Sequence, residues 1–207
     1  MSVKSHDEPL EELLKMVETG KAQLPEFQRS WVWDNTQICK LIESITSGYP
    51  MGAAMFLANG GDSIRFKYRK FTGVDSNLTT IPEWLVLDGQ QRLTTLYQVF
   101  KCKTPVITRL DTNKDKTLKR YYYLDIKKFL NPDIDRLDAI IAIPHTKLQT
   151  SNIGRDISLD LSTQEQEFEN LMFPLNITFD SSAVMHWMMN LNVYYHNRDR
   201  IYIYEVL

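Results

Sequence analysis

The stretch from Trp84 to Phe100 constrains the fold more than any other part of the chain, because it joins two kinds of element through a glycine. A short apolar run, Trp84–Leu87, predicts a buried strand, and the Asp88-Gly89 pair behind it predicts a tight turn. Apolar residues then recur at helical i, i+3, i+4 and i+7 spacing: Leu93, Leu96, Tyr97 and Phe100. A strand that enters a helix in this way directs the free N–H groups and the positive dipole end of the helix at one place, which suits an anion such as phosphate.

Five residues at this turn are candidate site residues: Asp88, Gly89, Gln90, Gln91 and Arg92. Gly89 lets the backbone approach a ligand closely, and Arg92 can offer a bidentate fork to a phosphate. Asp88 can hold Mg²⁺, which prefers oxygen ligands, or orient a water, while Gln91 can position a nucleophile or contact a base edge. The alternative is that Asp88 only caps the helix and the others form its solvated face, and the local sequence on its own favours that alternative.

A second candidate stretch is Phe27–Trp33, in which polar and aromatic residues alternate. Arg29 can pair with a phosphate, and Gln28 can fix the direction of the Arg29 side chain. Trp31 and Trp33 can stack on a base. The alternative is that both tryptophans are core anchors, which we favour for them, and that Arg29 closes a salt bridge.

The charge of the chain is uneven, although its formal net value of -2 gives no overall basic signal for nucleic acid. Between Lys101 and Lys128 there are nine Lys or Arg against three Asp, a local excess of six. This excess predicts a surface that contacts the DNA backbone, with Lys116, Lys119 and Arg120 as candidates. The alternative is an ordinary solvated hairpin.

Several function classes lack their sequence signals. The two cysteines, Cys39 and Cys102, are too few for a disulfide framework or a zinc site, and the four histidines lack metal-ligand spacing. No Walker-type loop, dinucleotide-binding glycine motif or serine nucleophile elbow occurs. No signal peptide and no membrane-spanning run is present, so we expect a cytoplasmic protein without a membrane partner.

Hairpins mixed with helices predict an α+β fold with a helical end from about residue 160, divided into domains 1–160 and 161–207. The strand-like residues Ile201–Val206 end the chain, so we expect a fragment of a longer protein. The other predicted elements, in chain order, are a helix capped by Asp7 and ended by Gly20, a helix with an Asp34/Gln37 capping box, a hairpin of Ala53–Ala58 and Ile64–Tyr68, a hairpin of Pro105–Arg109 and Lys119–Ile126, a strand at Ala139–Ile143, a loop over His145–Ser158, a helix with a Ser162/Glu165 capping box and a helix lined by Val184 to Tyr195.

Three segments in order resemble one known family: Leu24–Trp33, Leu41–Ile45 with Gly48–Gly52, and Leu87–Leu96. The chain is similar in these segments, within roughly residues 10–100, to the GmrSD restriction endonuclease N-terminal domain family, of which Asp-Gly-Gln-Gln-Arg is the signature. The resemblance implies a ParB/sulfiredoxin-like fold, a mixed sheet with flanking helices whose equivalent turn binds phosphate. It also implies nucleotide hydrolysis coupled to restriction of modified phage DNA, with an HNH-type nuclease domain that lies C-terminal to this module.

Two hypotheses follow. In the first, the chain is an NTPase module that binds a nucleoside triphosphate with Mg²⁺ and controls the nuclease domain. Asp88 holds the metal and is catalytic together with Gln91 and Arg92. The residues that bind the phosphates are Gln28, Arg29, Gly89, Gln90 and Arg92. In the second, the same pocket binds DNA without hydrolysis, and Trp31, Trp33, Lys116, Lys119 and Arg120 sense modified DNA. The base of the nucleotide, the DNA modification and a homo-oligomer are left open.

Overall fold

The structure of the protein is a computed structural model. It describes residue 5 and residues 7–60, 66–110, 116–151 and 155–205, with side chains described up to residue 198. Helices and mixed parallel and antiparallel sheets follow one another over these residues, so the predicted α+β class is confirmed. The ParB/sulfiredoxin-like assignment stays a prediction.

The elements follow one another as α1 (Leu10–Glu18), β1 (Ala22–Pro25), α2 (Asn35–Thr46), β2 (Met55–Ala58), β3 (Tyr68–Arg69), β4 (Trp84–Asp88), α3 (Gln90–Phe100), β5 (Val106–Arg109), β6 (Thr117–Asp125), α4 (Ile126–Leu130), β7 (Ile140–Pro144), β8 (Leu148–Ser151), β9 (Asp156–Asp160), α5 (Gln164–Asn170), β10 (Met172–Pro174) and α6 (Ser181–Glu205). They form two compact units, residues 1–33 with 51–98 and residues 34–50 with 99–207. The domain border expected between residues 160 and 161 stays a prediction.

The sheet of the first unit has the strand order β2-β4-β1-β3. Its two central strands, β1 and β4, are parallel, with Ala22 opposite Trp84 and Gln23 opposite Leu85. Leu24, Leu85 and Val86 are buried in the core, as expected for central strands that have a neighbouring strand on each side. Because parallel neighbours end at the same edge of a sheet, the segments after β1 and after β4 leave from that shared edge.

The hairpin predicted between Ala53–Ala58 and Ile64–Tyr68 is wrong for the described residues, and residues 61–65 lie outside them. Strand β2 pairs with β4, and β3 pairs with β1, at opposite edges of the sheet. The Asn59-Gly60 pair permits a chain reversal, but it does not choose the partner strand. The buried strand β4 needs a hydrogen-bonding neighbour on each side, and β2 supplies one of them.

The start of helix α1 differs from the prediction, and the start of helix α2 agrees with it. Helix α1 begins after Pro9 without a side-chain cap, so the predicted Asp7 cap is wrong; proline suits the start of a helix because its missing N–H would have no partner there. Helix α2, in the second unit, has the predicted capping box, with the Gln37 N–H donating to Asp34 and the Gln37 side chain accepting from the Asp34 N–H.

The second unit is arranged around β6, which pairs with β5, β7 and β10. The predicted hairpin of β5 and β6 is confirmed, although residues 111–115 at its tip lie outside the described residues. A core cluster includes residues of this sheet, and its fully buried members include Tyr123, Ile143 and Leu161.

Three predictions in the second unit are wrong. The segment 145–158, expected to be a loop, contains most of the hairpin of β8 and β9; its residues are mostly exposed, so they carry little apolar signal. The capping box before α5 uses Thr163 with Gln166, one residue after the expected pair. The strand expected from Ile201 onward is helical up to Glu205, the last residue of α6, because extending an existing helix adds one hydrogen bond per residue; Val206 lies outside the described residues. None of the helices in the described ranges is both long and apolar enough to cross a membrane.

A buried carboxylate ties three parts of the second unit together. Glu167, on α5, accepts hydrogen bonds from the Tyr123 hydroxyl at 2.9 Å and the Trp187 indole at 3.2 Å, and pairs with Lys147 at 3.3 Å. Burial, followed by the charge and the hydrogen bond of Glu167, raises the pKa of Tyr123 well above its usual value. The hydroxyl therefore stays protonated and remains a donor.

Replacement of this carboxylate tests its role in stability. Glu167→Ala leaves the buried Tyr123 and Trp187 donors without their acceptor, so we expect a loss of about 3 kcal/mol in the free energy of unfolding, measured by urea denaturation. The control is Glu169→Ala, which removes an exposed carboxylate paired with Arg198 at 3.3 Å and should leave the urea midpoint nearly unchanged. Equal midpoints for the two variants would contradict a structural role for Glu167.

Candidate functional site

The segment after β1 and the turn after β4 line one cavity of about 400 Å³ in the first unit. This volume lies within the range of roughly 300–1,000 Å³ that is common for small-molecule sites. The expectation that Arg29 and Arg92 line the same cavity is met. The lining residues are Phe27, Gln28, Arg29, Trp33, Leu87, Asp88, Gly89, Gln90, Gln91 and Arg92.

The predicted strand, glycine turn and helix are all present. Strand β4 ends at Asp88, Gly89 has a φ of +87°, and α3 begins at Gln90. A Cβ on Gly89 would lie 3.0 Å from the Cβ and 3.2 Å from the Cα of Ala54, so both conformation and space favour glycine. The first N–H groups of α3 have no acceptor within the helix, and among the described residues no side chain accepts from them.

The two glutamines of the turn hold the segment that follows β1. The Gln90 amide donates to the Arg29 carbonyl at 2.8 Å. The Gln91 amide donates to the Ser30 carbonyl at 3.2 Å and accepts from the Val32 N–H at 3.1 Å. This segment has no helix or strand of its own, so these side chains satisfy its backbone. The catalytic role of Gln91 and the phosphate-binding role of Gln90 stay predictions.

Gln28 and Arg69 fix the same segment from its other side. The Gln28 Nε2 donates to the Val86 and Leu87 carbonyls at 2.6 and 2.9 Å, and its Oε1 is buried without a partner among the described residues. Arg69 donates to the Gln28 and Arg29 carbonyls at 3.1 and 3.0 Å. Sequence reasoning missed Arg69, since no local pattern indicates that its side chain reaches the backbone of a segment 40 positions away.

Arg92 points back over the turn, as its predicted role requires, but its guanidinium is engaged by the protein. It donates to the Met51 carbonyl and, at 2.8 Å, to the Ala53 carbonyl, and it lies 3.6 Å from the Asp88 carboxylate. A Cβ on Gly52, whose φ is +80°, would overlap the Arg92 Nη1. Arg92 therefore does not present its whole fork to a phosphate. Gly52 lies in one of the segments that resemble the family, but no local pattern predicts its contact with Arg92.

Arg29 and Asp88 are the exposed charges of the cavity. Within the described ranges the Arg29 guanidinium has no hydrogen bond and no ion pair, so the salt bridge considered for it is not formed. The Asp88 carboxylate is 74% exposed, and no described N–H donates to it, so the alternative that it caps α3 is not what the structure shows. The cavity thus offers one unpaired cation and one accessible carboxylate.

The two tryptophans have different surroundings. The Trp31 indole donates to the Thr95 hydroxyl at 2.9 Å, which anchors Trp31 on α3. Trp33 lines the cavity and is half-buried. This favours an anchoring role for Trp31 and leaves Trp33 as the ring available to a ligand, while base stacking stays a prediction for both.

The basic residues predicted to contact DNA lie in the second unit and do not share one surface. Lys119 is opposite Ile107 and Arg120 is opposite Val106 in the β5–β6 ladder. Because consecutive strand residues point to opposite faces, Lys119 and Arg120 face different sides. Lys116 is exposed and lies directly before β6.

A Mg²⁺ ion would have one carboxylate ligand in this cavity. Within the described part of the chain no group of three or more His, Cys, Asp or Glu side chains is placed to hold a metal ion. Mg²⁺ is commonly bound through one or two carboxylates together with water and substrate phosphates. Asp88 therefore fits a metal that arrives with a phosphate ligand, rather than a metal held by the protein alone.

The chain matches the GmrSD restriction endonuclease, N-terminal domain family over residues 10–206 and belongs to it. This match confirms the predicted family and extends it over the second half of the chain, for which the sequence motifs gave no assignment. The chain is also similar to an uncharacterized protein of Methanocaldococcus jannaschii, with 29% identity over 185 residues. That similarity covers 86% of this chain and 30% of the archaeal protein, so the chain spans less than a third of that relative's length.

The hydrogen bonds of Gln91 predict a measurable effect on the neighbouring segment. Gln91→Ala removes one acceptor and one donor, so the Val32 amide should exchange faster with deuterium and the free energy of unfolding should fall by about 1–2 kcal/mol. Gln149→Ala is the matched control, because that exposed glutamine has no side-chain hydrogen bond to a described residue. Unchanged exchange at Val32 would show that the segment holds its shape without Gln91.

Proposed function

We propose that this chain is the N-terminal module of a modification-dependent DNA restriction protein. In this proposal it binds and hydrolyses a nucleoside triphosphate and thereby controls DNA cleavage by a C-terminal nuclease domain in defence against phage. Membership of the restriction endonuclease family supports the restriction part. The observation that carries the nucleotide part is the unpaired Arg29 guanidinium, which lines the same cavity as a helix start and an exposed carboxylate.

Phosphate binding rests on two sources of positive potential. Arg29 carries a full charge without a protein partner in the described ranges, and the start of α3 adds N–H donors and the positive end of the helix dipole. Gly89 leaves the backbone of the turn open to close approach. Trp33 lines the same cavity and offers an aromatic face to the base.

Asp88 requires a cation in this proposal. A carboxylate beside a polyphosphate repels it unless a cation lies between them, and Asp88 is the residue that would hold Mg²⁺. The metal would supply neutralisation of the phosphate charge during hydrolysis. The Arg92 guanidinium lies 3.6 Å from one oxygen of the Asp88 carboxylate, beyond hydrogen-bond distance, so the 74% exposed carboxylate can contact a metal while Arg92 stays beside it.

The remaining predicted residues act on the site through its geometry. Gln28, Gln90 and Gln91 hold the backbone that carries Arg29, and Arg92 places the carboxylate of Asp88. In the proposal these residues act indirectly, because they fix the groups that touch the nucleotide. Such fixed charges account for most of what phosphoryl transfer requires.

The nucleotide proposal is tested with two variants of the cavity. Arg29→Ala should weaken binding of a slowly hydrolysed triphosphate analogue by about 10-fold or more, with and without Mg²⁺, because it removes a charge-assisted contact. Asp88→Ala should leave metal-free binding intact or tighter and should lower Mg²⁺-dependent phosphate release by roughly 100-fold. Binding is measured by calorimetric titration, and phosphate release is measured on the same preparations.

The control is Arg155→Ala, which removes an exposed arginine of the second unit and gives the chain the same net charge as Arg29→Ala. It should match the parent protein in both assays. A parent protein that binds no triphosphate at millimolar concentration would contradict the nucleotide proposal. A folded Asp88→Ala variant that releases phosphate at the parent rate would remove Asp88 from the reaction.

A second candidate function is direct contact with DNA, and the β5–β6 face favours it. Thr117 is opposite Arg109 and Ile107 is opposite Lys119, so Arg109 and Lys119 share one face of the ladder. Ile107, on the same face, is 49% exposed. This pair of cations replaces the combination of Lys119 with Arg120, since those two face opposite sides.

The DNA contact is tested by its salt dependence. The double variant Arg109→Gln with Lys119→Gln should lower the slope of log affinity against log salt by about 2, because two fewer counterions are released from the DNA. The double variant Lys15→Gln with Lys40→Gln removes the same charge from exposed helical positions outside the basic stretch and should leave the slope unchanged. If both pairs change the slope equally, the β5–β6 face has no special part in DNA binding.

A further inference from the structure

The backbone of Gly52 lies directly against the guanidinium of Arg92. The carbonyls on either side of it, those of Met51 and Ala53, both accept hydrogen bonds from that guanidinium. The position of Gly52 leaves no room for a Cβ, which would overlap the Arg92 Nη1. The segment from Met51 to Ala53 therefore forms a seat for one side chain of the turn.

The seated guanidinium has one charged neighbour, the carboxylate of Asp88. Their atoms are 3.6 Å apart, and the Asp88 side chain is 74% exposed. An exposed carboxylate without fixed partners samples several rotamers. A cation that is itself fixed by two carbonyls restricts that sampling, because it attracts the carboxylate toward one position.

We infer that Gly52 is a positioning residue for the proposed reaction: it seats Arg92, and Arg92 in turn orients Asp88. This inference rests on the proposed nucleotide site. It assigns a part in that site to a residue that touches neither the cavity nor the reacting atoms. It also explains how Arg92 affects catalysis while its guanidinium is engaged by backbone carbonyls.

The substitution Gly52→Ala isolates this effect. The added methyl group meets the end of a flexible side chain, so the Arg92 guanidinium gives way instead of the backbone. The positive φ of +80° adds strain, and a control with the same strain is available in the same stretch. Gly48 has a φ of +72°, and nothing lies within 4 Å of a Cβ built on it, so Gly48→Ala carries the strain without the displacement.

The experiment compares Gly52→Ala, Gly48→Ala, Arg92→Ala and the double variant Gly52→Ala with Arg92→Ala. We expect Gly52→Ala to lower kcat for Mg²⁺-dependent phosphate release by about 10-fold or more, since small misplacements of reacting groups have effects of this size. Metal-free affinity for the triphosphate analogue should stay within about 2-fold of the parent, because Arg29 is untouched. The double variant should be no slower than Arg92→Ala, because Gly52 acts only through Arg92.

Each other outcome overturns the inference. If Gly52→Ala and Gly48→Ala lose equal activity, backbone strain is the cause; if the losses of Gly52→Ala and Arg92→Ala add in the double variant, Gly52 acts by another route. Should Gly52→Ala fail to fold, Arg92→Lys replaces it, because lysine keeps the charge but lacks the fork that reaches both carbonyls. If Arg92→Lys has the same kcat as the parent protein, the inference is overturned. A parent protein that neither binds nor hydrolyses triphosphate overturns the proposed function instead, and the inference with it.

Discussion

The amide groups of Gln90 and Gln91 hydrogen-bond a stretch of backbone that has no helix or strand structure of its own. The segment after β1 has no sheet or helix ladder, yet its carbonyls and N–H groups must be hydrogen-bonded wherever they are removed from water. The glutamines supply three of those bonds from the first turn of α3, and Arg69 supplies two more from β3. Because of this constraint, Arg29 has a defined place relative to the glycine turn, and two distant parts of the sequence form one cavity.

The two arginines of the cavity show that charge alone does not define a ligand contact. Arg92 is next to the turn in sequence, but its guanidinium is used by two backbone carbonyls and a carboxylate. Arg29 is remote in sequence and has no such partners among the residues with defined positions. The arginine next to the turn in sequence is thus held by the protein, and the more distant one is exposed and has no partner among the described residues.

Local signals in the sequence were sufficient where the determining contacts are local. The Asp34/Gln37 capping box and the passage from β4 through Gly89 into α3 depend on neighbours within a few residues, and both were predicted. The pairing of β2 with β4 depends on which distant strand is buried, and the seat of Arg92 on Met51 and Ala53 depends on that pairing. No local pattern encodes either. The hairpin of β8 and β9 was not predicted for a different reason: its residues are mostly exposed, so the sequence has little apolar pattern there.

The parallel pairing of β1 and β4 has a consequence for the order of folding. The side-chain hydrogen bonds that join the segment after β1 to β4 and α3 connect residues 58 to 64 positions apart, so the cavity cannot form before that long loop closes. Closing a loop of this length costs about 4 kcal/mol of chain entropy, which local contacts alone do not offset. A molecule bound by both segments holds the loop closed and binds only the folded chain. Occupancy of the cavity and global stability are therefore linked, and the occupied protein opens more rarely than the empty one.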